Sequence, residues 1–272
     1  MNMNKTCRSK KIKKKLSIGV FDSGLGGLTV LKYLLKNFPG ANFIYLGDLQ
    51  NLPFGNKSTK RVIECSLRCT RFLLKQEVDV IVIACNTASS CAYESVKKEA
   101  SLPVFDVIRP CVKEISINKN LRVAILGTEK TIKSEMYPKL IKLINPNAKI
   151  FNIACPLFVP IVEEGLEATD LANQAIEYYL NVLKKMQIDK VILACTHYPI
   201  LLPKMKQFLG DRVKIVDSGY HVANLVKNKI GKSGLAKTAN IRYYVTDLPE
   251  RFKKNGSIFL GQKINSVSVV KI

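Results

Sequence analysis

From residue 16 onward the chain alternates between two hydrophobic periods. Short runs of β-branched and aromatic residues, too brief for helices, give way to stretches whose apolar positions recur three and four apart. Residues 16–21 predict a strand, Asp22-Ser23-Gly24-Leu25-Gly26-Gly27 a loop, and residues 28–37 a helix that stops before Phe38-Pro39-Gly40. Residues 42–46 predict a second strand, 47–58 a long turn-rich loop, and 58–75 a helix. An apolar run ending at Ala84-Cys85 comes next, then a helix over about 88–100. Strand followed by helix, repeated, predicts an α/β fold with a parallel, helix-covered sheet.

The pattern then restarts. Residues 121–128 read as strand and turn, with a helix from after Thr131 to about Ile144. A short strand over 149–154 and a long amphipathic helix over 169–186 lead to a second apolar run ending at Ala194-Cys195. Val78-Asp79-Val80-Ile81-Val82-Ile83-Ala84-Cys85-Asn86-Thr87 is matched by Ile188-Asp189-Lys190-Val191-Ile192-Leu193-Ala194-Cys195-Thr196-His197, 110 positions later. Val213-Lys214-Ile215-Val216-Asp217-Ser218-Gly219 echoes the first strand and its Asp-Ser-Gly, and is taken as further support for a duplication. The tail predicts a helix near 220–229 and strands over 240–245, 257–260 and 267–272. Such a remainder cannot bury a core alone, so it is expected to return to the first unit. The expected division is a basic leader over 1–15, a first α/β domain over 16–108 plus 220–272, and a second over 109–219.

Composition bounds the function. With 272 residues, 47% hydrophobic and 24% charged, the sequence is that of a globular protein. No apolar run approaches the roughly 18 residues of a membrane span. The basic start is followed by an apolar stretch that Asp22 interrupts too early for a secretory signal, which predicts a cytoplasmic protein with a loose leader. Eight cysteines in a chain with its own core and no export signal are expected to stay reduced. With two histidines and no Cys-x-x-Cys, no metal site is expected. Cys65 and Cys69, four apart on a predicted helix, read as packing residues. The net charge of +22 is mostly lysine scattered over predicted helix faces with much Asn and Ile, so neither membrane nor specific nucleic-acid partners are expected.

The candidate chemistry sits at the ends of the twin runs. Buried parallel strands that stop at small polar residues mark the carboxyl edge of a sheet, where ligands of such folds bind. Cys85 and Cys195 each stand where a strand is expected to end and a helix to begin, a placement that favours a thiolate. A strand-end cysteine alone reads first as packing; the pair in matching positions reverses that and points to two thiols approaching one carbon from opposite sides. His197 could exchange a proton with Cys195, and Asp22 with Cys85; a capping role remains the alternative for both. The 22–27 loop lacks both G-x-G-x-x-G and G-K-[ST], and so suits a small carboxylate better than a nucleotide.

These residues resemble a known family. Ile18-Gly19-Val20-Phe21-Asp22-Ser23-Gly24-Leu25-Gly26-Gly27, Pro53-Phe54-Gly55, Ala84-Cys85-Asn86-Thr87-Ala88, Cys155-Pro156-Leu157-Phe158-Val159-Pro160 and Ala194-Cys195-Thr196-His197-Tyr198-Pro199 together closely resemble the bacterial glutamate racemases of the aspartate/glutamate racemase superfamily. The resemblance spans residues 16 to about 219. It implies two similar parallel-sheet α/β domains related by pseudo-symmetry, an active site in the cleft between them, and cofactor-independent interconversion of L- and D-glutamate for peptidoglycan. It further implies that Cys85 takes the α-proton from the D-isomer and Cys195 from the L-isomer, with Asp22 and His197 tuning the sulfurs. The implied substrate contacts are Asp22, Ser23, Phe54, Gly55, Asn86, Thr87, Thr196 and His197, helped by a glutamate within 160–164, and a homodimer is the family expectation. The chain departs from the family in carrying Phe54 where Tyr is usual, and Leu49-Gln50-Asn51 in the middle of the same loop.

Overall fold

The structure, a computed structural model, describes residues 15–115, 120–231 and 238–272; the leader falls outside the described residues except for Lys15. The first half runs β1 (Ser17–Asp22), α1 (Leu28–Asn37), β2 (Asn42–Gly47), α2 (Thr59–Lys75), β3 (Val80–Ile83), α3 (Asn86–Glu99), β4 (Val104–Asp106) and α4 (Ile108–Lys113). The second runs β5 (Arg122–Gly127), α5 (Glu129–Lys133), α6 (Met136–Ile144), β6 (Lys149–Ala154), α7 (Phe158–Glu163), α8 (Asp170–Lys185), β7 (Lys190–Ala194), α9 (Leu202–Leu209), β8 (Lys214–Asp217) and α10 (Ser218–Ile230). The tail adds β9 (Asn240–Val245), α11 (Pro249–Leu260) and β10 (Ser268–Val269).

Two wholly parallel sheets result. One has the order β10-β9-β2-β1-β3-β4 and the other β6-β5-β7-β8. The stretch β2-β1-β3-β4 and the whole of the second sheet therefore repeat one strand order, and the tail strands extend only the first. Central strands β1, β3, β5 and β7 are almost entirely buried, which is why they read as continuous apolar runs. β6, at a sheet edge, is half exposed. Among the described residues, no helix is long and apolar enough to cross a membrane.

The repeat fixes what stands at the carboxyl edge. Phe21 pairs with Ile83, so Ser23 and Cys85 emerge side by side two positions on. Gly127 pairs with Ala194, which sets Thr128 beside Cys195. Topologically β5, not β8, is the counterpart of β1. The Asp217-Ser218-Gly219 echo is thus a correction to the sequence reading: β8 corresponds to β4, and the aspartates that end these two strands serve as caps. Asp106 accepts from the backbone N–H of Ile108 (2.8 Å), and Asp217 from that of Gly219 (2.8 Å).

Three further expectations change. Residues 257–260 are not a strand but the last turn of α11, which starts with Pro249 in its first turn and stops at Gly261 in the left-handed region (φ 75°). The single helix expected from Thr131 to Ile144 is broken at Ser134-Glu135, because Pro138 is tolerated only in a first turn, so a new helix must begin just before it. No α-helix follows Cys195. Pro199 opens instead a short 3-10 turn, Tyr198–Leu201, and α9 starts only at Leu202. Cys65 and Cys69 are buried in the core between α2 and the first sheet, as their spacing predicts.

Candidate active site

Cys85 and Cys195 line one cavity of about 30 Å³, shared with Ser23, Phe54, Gly55, Asn86, Thr87, Thr128, Thr196 and His197. That is room for water and not for an amino acid, so this is a closed arrangement. Every predicted site residue reaches the cavity wall except Asp22 and the glutamate within 160–164. Asp22 lies fully buried next to it, with Oδ2 accepting from Gly24 N–H (3.1 Å) and Oδ1 without a hydrogen-bond partner among the described residues.

The two sulfurs have different surroundings. Cys85 caps α3, its Sγ accepting from Ala88 N–H (3.5 Å) and its thiol directed at Ser23 Oγ (3.8 Å). Burial pushes the Cys85 thiol pKa up and the neighbouring Asp22 charge adds to this, with the Ala88 amide opposing. The lowered thiol expected at a helix N-terminus is therefore not what the structure gives, since complete desolvation outweighs the helix end. Burial likewise raises the Asp22 carboxyl, partly offset by the His197 charge and the loop amides. In the same cavity, Cys195 Sγ lies 3.9 Å from His197 Nδ1, and His197 Nε2 is 2.9 Å from Glu163 Oε1. Burial works against an imidazolium there. The Cys195 sulfur and the Glu163 carboxylate overcome it and hold the His197 pKa up at about 10.

Polar side chains clasp the two halves. Thr87 Oγ1 lies 3.1 Å from Thr128 Oγ1 and 3.2 Å from Thr131 Oγ1, and Thr29 Oγ1 donates to Thr196 O (2.9 Å). Asn86 is fixed by Tyr137 Oη, which donates to its Oδ1 (2.7 Å), while its Nδ2 reaches Ser218 Oγ (3.4 Å). Gly26 permits the closest approach: a Cβ there would land on Thr196 Oγ1 and 2.5 Å from His197 Nδ1. Gly55 packs beside Thr128 in the same way, with a built Cβ 3.0 Å from Thr128 Cβ. In the divergent loop, Asn51 bridges Asp48 (3.1 Å to each carboxylate oxygen) and Arg61 (2.8 Å). The replaced segment is thus tied into the first half rather than left loose, and Phe54 is only 1% exposed.

Sequence reasoning missed Thr128, Thr131 and Tyr137. Thr128 had a signal: it follows the strand equivalent to β1 and so occupies the place of Ser23. Tyr137 had none, because its contact with Asn86 joins residues far apart in the chain. Among the described residues, no group of three His, Cys, Asp or Glu is arranged to hold a metal.

Known proteins resemble the chain along almost its whole length. Residues 34–226 match the family model for Asp/Glu/Hydantoin racemase. A glutamate racemase of Geobacter metallireducens is 40% identical over 261 residues, covering 94% of this chain and 97% of that one. The crystal structure of a glutamate racemase isoform from Bacillus anthracis superposes with a TM-score of 0.88 at 31% identity, covering 96% of this chain and 98% of that one. That of the Francisella tularensis glutamate racemase in complex with D-glutamate gives 0.87 at 34% identity, with coverages of 94% and 98%. With paired strand-end thiols in one cavity and relatives of this similarity along almost its whole length, the chain belongs to the Asp/Glu/hydantoin racemase family and, within it, to the glutamate racemases.

Proposed function

We propose that the protein interconverts L- and D-glutamate by proton transfer between its two thiols and the α-carbon, without a cofactor, in the cytoplasm, and that the D-isomer supplies peptidoglycan. The observation that carries this reading is the shared cavity, which is lined by both Cys85 and Cys195 together with hydroxyl and amide donors. An α-proton is weakly acidic, and a dry site with fixed donors lowers the energy of the carbanion-like transition state. Ser23, Asn86, Thr87 and Thr196 supply such donors from side chains, with no arginine needed.

Protonation states give the resting site a direction. Cys85, its pKa raised, is a thiol able to donate. Cys195 Sγ lies 3.9 Å from His197 Nδ1, where the imidazole can exchange a proton with it. This combination suits L-glutamate: Cys195 takes the α-proton, Cys85 delivers one to the opposite face, and D-glutamate leaves. The reverse reaction starts from the complementary state, with Asp22 receiving the Cys85 proton. Because the cavity admits only water when closed, the halves must part for substrate to enter. We take residues 16–108 with 220–272, and 109–219, as the two moving units. Purified protein is expected to racemise L-glutamate roughly ten- to two-hundredfold faster than L-aspartate, the discrimination that one methylene allows at about 1–3 kcal/mol; a preference for aspartate would overturn the substrate assignment.

A further inference from the structure

α11 holds one half of the site from the other half of the molecule. Its apolar face is anchored on the first sheet and α1. Phe252 is fully buried against Tyr45 (5.7 Å between ring centroids) and Tyr243 (6.1 Å), and Gly256 lies so close to Leu28 that a built Cβ would be 2.8 Å from Leu28 Cδ1. Arg251, Asn255 and Phe259 recur four apart, and so form one stripe on a helix. All three reach the second half. Arg251 donates to Glu164 Oε1 (2.9 Å) and to Glu163 Oε2 (3.4 Å), Asn255 Nδ2 donates to Glu163 O (2.8 Å), and Phe259 packs edge-on to the His197 ring (5.3 Å). Glu163 is thereby pinned at its backbone and at one carboxylate oxygen, and its other oxygen is the one that meets His197 Nε2.

We infer that Arg251 is a positioning residue for the Cys195 half-reaction alone: only when the two halves are together does it lock Glu163 against His197, and so set the imidazole that serves Cys195. Among the described residues, no hydrogen bond or ring contact joins α11 to Cys85, Ser23 or Asn86. The inference rests on the two-thiol reading and adds to it a direction-specific control. A guanidinium suits this task because its Nη2 can donate to both carboxylates at once, and a neutral side chain of similar length carries no such charged donor.

The test must respect equilibrium. Racemisation has an equilibrium constant of one, so a variant lowers kcat/KM equally for both enantiomers, and rates alone cannot reveal which half is affected. Primary isotope effects can. We expect Arg251→Met to lower kcat/KM roughly three- to tenfold, with Arg251→Lys recovering part of the loss. The effect with α-deuterated L-glutamate should rise, because Cys195 breaks that bond, and the effect with α-deuterated D-glutamate should fall. Arg251 is 38% exposed at its side chain, so both variants should keep the melting temperature of the parent. Isotope effects that move together, or wild-type rates in Arg251→Met, would overturn the inference. The opposite asymmetry, a rise confined to D-glutamate, would keep Arg251 in a one-sided role and overturn the assignment of Cys195 to the L-isomer. Racemisation that survives Cys195→Ala would count against the two-thiol reading on which the inference depends.

Discussion

The two strand-end cysteines sit at equivalent places in a repeated strand order, yet their surroundings share almost nothing. Cys85 opens an α-helix and is bounded by a backbone amide, a serine hydroxyl and a buried aspartate. Cys195 opens no helix; an imidazole held by a carboxylate stands beside it. The lesson is that duplication of the fold fixes where the sulfurs are, and local sequence fixes what surrounds each of them. In one half the cause is Asn86 at the first position of a long helix, and in the other it is Pro199, which forces a short 3-10 turn and leaves His197 free to face back toward the sulfur. The proposed two-thiol reaction needs one sulfur deprotonated and the other protonated when substrate binds, and chemically unlike surroundings are one way to obtain that.

The strongest test of the comparison removes each sulfur in turn. Cys85→Ala and Cys195→Ala should each lower glutamate racemisation by roughly a hundred- to ten-thousandfold, the range that a positioned proton-transfer group contributes. Polarimetry on the purified variants would show it. Near-normal activity in either would remove that thiol from the reaction and with it the equivalence of the two halves.

A smaller effect is expected where the halves meet. Gly26→Ala places a methyl against Thr196 and His197 in the second half while leaving Cys85 untouched. Relieving that clash requires a shift costing about 1–3 kcal/mol, so glutamate turnover should fall and thermal stability with it. Unchanged values of both would mean that the contact between Gly26 and the 196–197 turn is not part of the working closed form.

Stability against pH sharpens the contrast further, because only the Cys195 half holds a raised histidine. The His197 pKa is about 10 in the folded protein against 6.5 ordinarily. Its stabilising contribution is therefore complete below about pH 6.5, declines as pH rises, and is lost above about pH 10. The melting temperature should fall across that window, and less steeply in Glu163→Gln, where the imidazolium has lost its carboxylate. Equal slopes in parent and variant would contradict the ion pair.

Much of this was legible in the chain. The buried central strands announced themselves as unbroken β-branched runs, and the twin Ala-Cys endings located the cavity. What misled was local likeness without topology. Asp217-Ser218-Gly219 copies the letters of Asp22-Ser23-Gly24, but strand pairing makes Thr128 the true counterpart of Ser23. Ser257-Ile258-Phe259-Leu260 looked like a strand because four apolar-rich residues fit either period, although Pro249 before it and Gly261 after it mark the ends of a helix. Some features had no sequence signal at all. Arg251 and Glu163 stand 88 positions apart and meet only because the tail folds back onto the first sheet.

The central claim, that one carbon is served by two different sulfurs on opposite faces, is tested most directly by racemising L-glutamate in heavy water and stopping the reaction early. The account predicts that the first D-glutamate formed carries deuterium at the α-carbon while the remaining L-glutamate carries almost none, because each sulfur exchanges its proton with solvent and handles one enantiomer. Early D-glutamate that retains the original hydrogen, or deuterium appearing equally in both enantiomers from the start, would show a single base working both faces and contradict it.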